Sequence, residues 1–178
     1  MIRLVIGGAR SGKSTFAEGL YKGLEDVVYI ATAKALDQEM EARISHHRAS
    51  RPSYWRTFEE TKELVQAIGE EKHYLLDCVT IFVSNVMFDI TGYSDQVDDE
   101  LSKKVEDYAA AVLTELMDEI DNRGLELVLV TNEVGLSIVP ENQIARVFRD
   151  IQGRINQRLA KRADEVYLVC AGIPVKIK

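Results

Sequence analysis

Residues 7–15 read GGARSGKST, and this stretch decides the fold. It follows an apolar run, Ile2 to Ile6, and opens a segment with helical patterning from Lys13 to about Leu24. A Gly-x-x-x-x-Gly-Lys-Ser spacing between a strand and a helix is a phosphate-binding loop. Gly7, Gly8 and Gly12, with Ala9, Arg10 and Ser11 among them, let backbone N–H groups curl around an anion at the positive end of the helix. Lys13 then reaches the β- and γ-phosphates of a nucleotide, and the Ser14 hydroxyl joins the shell of a Mg2+ ion. Arg10 has two readings, a phosphate contact or a solvent-facing side chain.

Outward from the loop, short apolar, β-branched runs recur at Ile2 to Ile6, Val27 to Ala31, Tyr74 to Cys78, Leu125 to Thr131 and Val166 to Cys170. Helical patterns fall at 13–24, 37–49, 59–69, 100–122 and 141–162. This alternation predicts an α/β, P-loop NTPase-like (RecA-like) fold, a mostly parallel sheet flanked by helices on both faces. The tail AGIPVKIK adds a short run after a Gly/Pro turn, expected to be an antiparallel edge strand. In the 100–122 pattern Val105, Tyr108, Ala109, Val112, Leu116 and Ile120 form an apolar stripe, and the acidic residues opposite are solvated. DITGYSDQVDDE, residues 89–100, reads as a loop or lid.

At 178 residues, 46% hydrophobic and 29% charged, the chain fits one nucleotide-binding catalytic domain over 1–178. A formal charge of −7 argues against a duplex nucleic-acid partner, which requires a basic face, and points to small ligands. No apolar run approaches the roughly 18 residues of a membrane span, and MIRLVIGG is too short for a signal peptide. The expectation is a soluble, cytoplasmic protein. Cys78 and Cys170 each sit beside an apolar run and read as buried thiols in reducing surroundings, with no disulfide framework.

A Walker-B acid should end a buried strand neighbouring the loop strand, and Asp77 in HYLLDCVT is the acid in such a place. It would hold Mg2+ directly or through a water; the alternative is an aspartate capping the next turn. A second stretch, ALDQEMEARISHHRASRPSYWRTFEE, carries His46 and His47 among arginines. Adjacent helix positions lie about 100° apart, so only one histidine can face a given ligand. A neutral imidazole among arginines can attack phosphorus, the arginines balancing the charge, although exposed helix histidines are ordinary. Trp55 and Tyr54 could stack on a base or pack in the core.

GGARSGKS, YIATA at 29–33, DQEMEARISHHRASRPSYWRTFEE at 37–60, TNEVGLSIVPEN and the run through GIPVKIK together resemble one family. It is the bifunctional adenosylcobinamide kinase / adenosylcobinamide-phosphate guanylyltransferase, a P-loop homotrimer that assembles the nucleotide loop of cobalamin. The resemblance covers nearly the whole chain and is weakest over 61–125. It implies phosphorylation of the aminopropanol hydroxyl of adenosylcobinamide with ATP or GTP, then transfer of GMP from GTP to the resulting phosphate through a guanylyl-histidine.

On the same resemblance the nucleophile falls on His47, with His46 as the alternative. Arg48, Ala49, Ser50 and Arg51 match residues that hold the guanine nucleotide, Glu59 a further contact, and Ala31, Thr32 and Ala33 another. Family members carry glutamate at the Walker-B strand end; Asp77 is one methylene shorter, which leaves room for a water between carboxylate and metal.

The remaining residues have structural readings first. Gly135, Pro140, Glu141 and Asn142 form a strand-to-helix turn with an acidic first helical turn. Arg146, Arg149, Arg154 and Arg158 make the last helix locally basic, either a solvated face paired with Glu141 and Asp150 or an approach to corrinoid phosphate or a neighbouring subunit. Two rival functions remain: a small-molecule kinase with no histidine intermediate, and a GTP-dependent switch.

Overall fold

Strand β1 (Ile2–Gly7) is flanked by two parallel partners, β5 (Glu126–Asn132) and β6 (Glu165–Cys170). Beyond β5 lie β4 (His73–Asp77), β2 (Val27–Ala31) and β3 (Arg56–Glu59), all parallel, and beyond β6 lies β7 (Ile173–Lys176), antiparallel. The computed structural model describes residues 1–33, 51–59, 62–92, 94 and 96–178, and these form a seven-stranded sheet of order β3-β2-β4-β5-β1-β6-β7.

The interior strands are unbroken apolar runs because both faces of the sheet are covered. Leu4, Leu76 and Leu129 join one core cluster, while their chain neighbours Val5, Leu75 and Val128 join the other. The larger cluster packs beneath α2 (Val79–Thr91), α3 (Asp99–Asn122) and α4 (Gln143–Arg162). The smaller lies beneath α1 (Lys13–Leu20) through Ala17 and Tyr21, and it also takes in Trp55. The Trp55 indole donates to Leu24 O at 2.9 Å, which anchors the ring in this cluster.

Local rules set the helix ends. Asp98 caps α3 by accepting from Leu101 N at 2.8 Å, and Asp99 and Glu100 favour its positive end. Asn142 caps α4 through Ala145 N at 2.9 Å, and Lys161 and Arg162 occupy its last turn. Glu141 therefore lies outside that helix, and the expected acidic first turn is absent. Gly92, at φ 62°, ends α2, so Asp89 to Thr91 of the expected 89–100 loop are helical, and Asp99 and Glu100 belong to α3.

Other expectations are corrected. Glu59 begins no helix: Arg56–Glu59 is a strand, and Leu64–Ala67 is a single 3-10 turn. Thr57 and Phe58 suit an extended chain, and the open edge of β2 supplied the partner that tertiary context requires. On α3, Tyr108 is exposed, and Leu113 and Met117 complete the buried stripe. Cys78 is buried and its thiol is pushed up to about 12 by burial, but Cys170 is exposed at the end of β6. The 37–49 helical pattern lies outside the described residues. Among the described residues no helix is long and apolar enough to cross a membrane.

Candidate active site

The phosphate loop leaves the carboxyl end of β1, where parallel strands of such sheets present ligand sites. Register places the other candidates on the same rim. Glu59 pairs with Ala31, Ala31 with Asp77, Asp77 with Val130, and Val130 with Val5, two residues before Gly7. Asp77 does not end a strand adjacent to β1, because β5 lies between them.

Within the loop, Gly12 sits at φ 93° and Arg10 at φ 55°, both left-handed. A side chain at Gly7 would collide with the carbonyl of Val169, and one at Gly12 would come within 3.2 Å of the Gly172 Cα. The turn between β6 and β7 thus buttresses the loop, and Gly172 N donates to Ser11 O at 2.8 Å. Ser11 Oγ is buried with no hydrogen-bond partner among the described residues, an orphaned donor suited to an anion. Gly8, Ala9 and Arg10 are exposed at the loop's crest, and Ser14 is half-buried.

Lys13 is 8% exposed, and its Nζ donates to Gly8 O at 2.6 Å. Burial pushes its ammonium below the usual lysine range, while the Asp77 carboxylate opposes that fall. Gly12→Ala adds the Gly172 contact to a left-handed strain of about 1–2 kcal/mol, so we expect nucleotide affinity about tenfold weaker or worse. Titration with a fluorescent ADP analogue reads this directly; affinity equal to wild type would mean the loop tolerates the methyl.

Asp77 is half-buried, and its Oδ2 accepts from the Tyr29 hydroxyl at 3.0 Å. The Arg51 guanidinium lies over the Tyr29 ring, 3.6 Å from its centroid. Glu18, on α1, is partly buried; burial and then the Asp77 charge push its carboxyl up, and Arg51 draws it back. The Thr32 side chain is fully engaged: its hydroxyl donates to Cys78 O at 2.8 Å and accepts from Cys78 N at 3.0 Å. Any contact this segment offers a nucleotide comes from Ala31, Ala33 or backbone, not from that hydroxyl.

A buried polar network fixes the carboxyl end of β5 between these elements. Thr131 Oγ1 donates to Asn156 Oδ1 at 2.8 Å, Gln152 Nε2 donates to both residues, and Asn132 N donates to Thr80 Oγ1 at 2.7 Å. Sequence reading missed this group, along with Tyr29, Glu18 and Gly172. Polar residues in an amphipathic helix read as surface, and only their facing β5 hydroxyl, Thr131, hints otherwise.

Arg51 and Glu59 line a hollow of about 250 Å3 with Pro52, Ser53, Trp55 and Thr57. His46, His47, Arg48, Ala49 and Ser50 lie outside the described residues. A larger hollow of about 640 Å3 runs along α3, but Asp107, Glu115, Asp118 and Glu119 line it, a charge that repels phosphate. The four arginines singled out on α4, Arg146, Arg149, Arg154 and Arg158, are engaged within the chain. Arg154 and Arg158 each donate to Glu106 at 2.6 Å, Arg149 pairs with Asp150, and Arg146 donates to the carbonyls of Pro140 and Glu141.

Ser14 and Asp77 offer hard oxygen donors, the type Mg2+ prefers, and nucleotide-bound Mg2+ asks for only one or two protein ligands besides phosphate. The donor chemistry therefore fits that ion.

Among solved structures, the fold is similar to a prototypical ATPase of the type III secretion system of pathogenic bacteria. The TM-score is 0.53 at 11% identity, over 94% of this chain and 51% of that one. Whole-chain relatives are nearer. The chain is 49% identical to the bifunctional adenosylcobalamin biosynthesis protein CobU of Escherichia coli (strain K12), and 47% identical to the protein of that name from Salmonella typhimurium (strain LT2). In both cases 100% of each chain is covered. Residues 3–177 match the family model described as cobinamide kinase / cobinamide phosphate guanyltransferase. With the loop, the sheet and the whole-length identity in agreement, this P-loop enzyme belongs to the cobinamide kinase / cobinamide phosphate guanyltransferase family.

Proposed function

We propose that this chain, acting as one catalytic domain, performs both reactions of its family, on adenosylcobinamide and then on its phosphate. The observation that supports this best is the shared rim: the phosphate loop, Asp77 and Glu59 stand at the carboxyl ends of one sheet, and Arg51 reaches the Tyr29 ring beside Asp77. Two nucleotide-dependent steps can therefore serve one substrate arm without its crossing the protein.

In the first step the aminopropanol hydroxyl attacks the γ-phosphorus of ATP or GTP in line, and the nucleoside diphosphate leaves. Gly7 to Gly12 cradle the phosphates through backbone N–H groups, and Lys13 balances the charge that builds on the transferring group. Ser14 and Asp77 would hold Mg2+, which supplies further neutralisation of the β- and γ-oxygens. In the second step a ring nitrogen of His47 attacks the α-phosphorus of GTP and pyrophosphate leaves. The cobinamide phosphate oxygen then attacks the same phosphorus and displaces the imidazole. Arg48, Ala49, Ser50, Arg51 and Glu59 hold the guanine nucleotide, as do Ala31, Thr32 and Ala33 through backbone or methyl contacts.

We further propose a cytoplasmic homotrimer. Ile173 and Val175 on β7, Ile177, and Leu136 and Ile138 after β5 are exposed apolar side chains that a neighbouring subunit can cover. The test of function is incubation with adenosylcobinamide, Mg2+ and ATP, followed by GTP. Expected are adenosylcobinamide phosphate, then adenosylcobinamide-GDP with one pyrophosphate per turnover. Nucleotide hydrolysis with an unchanged corrinoid would contradict the proposal and favour a switch.

A further inference from the structure

Tyr29, a member of the smaller core cluster, makes two polar contacts, one through its hydroxyl and one through its ring. It pairs with Leu75 across the β2–β4 ladder. Asp77, two residues further along β4, projects from the same face of the sheet, and a diagonal of this kind is within reach of an aromatic side chain. That face is the one α1 covers, so the carboxylate is presented on the phosphate-loop side. Tyr29 is 4% exposed, and its hydroxyl donates to Asp77 Oδ2 at 3.0 Å. Arg51 lies over the ring, its guanidinium carbon 3.6 Å from the centroid.

We propose that Tyr29 is a positioning residue for phosphoryl transfer: its hydroxyl fixes Oδ2 of Asp77, Arg51 holds the ring in that pose, and Oδ1 is left to face the nucleotide-bound cation. This rests on the reading of Asp77 as the metal-side acid. A phenol is protonated at neutral pH, and a carboxylate oxygen can only accept, so Tyr29 is the donor in this bond. A carboxylate held by one donor loses its freedom to rotate or to chelate with both oxygens. Outer-shell partners of metal ligands set metal affinity in this way. Because Arg51 also lines the hollow beside β3, the same tyrosine touches both halves of the rim.

Tyr29→Phe keeps the ring and its stacking and removes only the hydroxyl. The measurement is Mn2+ affinity, read by the electron paramagnetic resonance of free Mn2+, on protein saturated with the β,γ-imido analogue of ATP. Tyr29→Phe is expected to weaken Mn2+ binding about 10- to 100-fold, with analogue affinity in the absence of metal unchanged. In an Asp77→Asn background the same substitution is expected to add nothing, since both changes act through one hydrogen bond. Unchanged Mn2+ affinity in Tyr29→Phe, or effects that add fully in the double variant, would overturn the proposal while leaving Asp77 as the metal acid. Asp77→Asn with wild-type Mn2+ affinity would overturn both readings. Loss of analogue binding without metal in Tyr29→Phe would make the tyrosine a structural residue and also overturn the proposal.

Discussion

Lys13→Ala is expected to lower cobinamide kinase turnover by roughly two to three orders of magnitude, the usual consequence of removing one preorganised charge from a phosphoryl-transfer site. The ammonium is nearly buried, held over the loop by Gly8 O at 2.6 Å, where little water competes for it. Its attraction to a γ-phosphate is correspondingly strong. Alanine is a good helix former at the first position of α1, so the fold should survive. Initial rates with saturating adenosylcobinamide and ATP, beside a circular dichroism melt, check both parts. A rate within about twofold of wild type, well under the tenfold that 1.4 kcal/mol represents, would remove Lys13 from the mechanism.

His47→Ala is expected to abolish GMP transfer, by at least about four orders of magnitude if the imidazole is the obligate nucleophile. Kinase activity should persist, because the γ-phosphate site is built from residues of β1, α1 and β4. His46→Ala should retain both activities. The check is product analysis in two stages, with purified adenosylcobinamide phosphate and GTP used for the second. If both reactions fell together in His47→Ala, the two sites would not be separable as described.

The parallel sheet was legible because buried strands announce themselves as continuous apolar runs, and five of them stood clear of the helical patterns. The phosphate loop was legible for a different reason: its geometry depends on glycines at fixed spacing, and Gly12 at φ 93° meets that demand. β3 was not legible. Arg56–Glu59 has no apolar run of its own and is a strand only because β2 offers an unpaired edge. The surroundings of Asp77 were hidden for the same reason. Tyr29 and Arg51 are 22 positions apart along the chain; the β2–β4 pairing brings the tyrosine to the carboxylate, and the β2–β3 pairing brings the segment that carries Arg51 onto its ring. Resemblance, rather than spacing, points to His47, since adjacent histidines among arginines carry no pattern that distinguishes a nucleophile from a surface pair.

A chain that both phosphorylates its substrate and carries GMP on its own histidine must pass through a covalent adduct that can be trapped. The most direct test is incubation of the purified protein with Mg2+ and GTP labelled at the α-phosphate, followed by intact mass and by acid and alkali treatment. Expected is one GMP per chain on wild type and His46→Ala, labile to acid and stable to alkali as a phosphoramidate is, and none on His47→Ala. Adenosylcobinamide-GDP formed by a wild-type enzyme that never acquires the label would contradict the guanylyl-histidine, and would mean that GMP passes directly from GTP to the corrinoid phosphate.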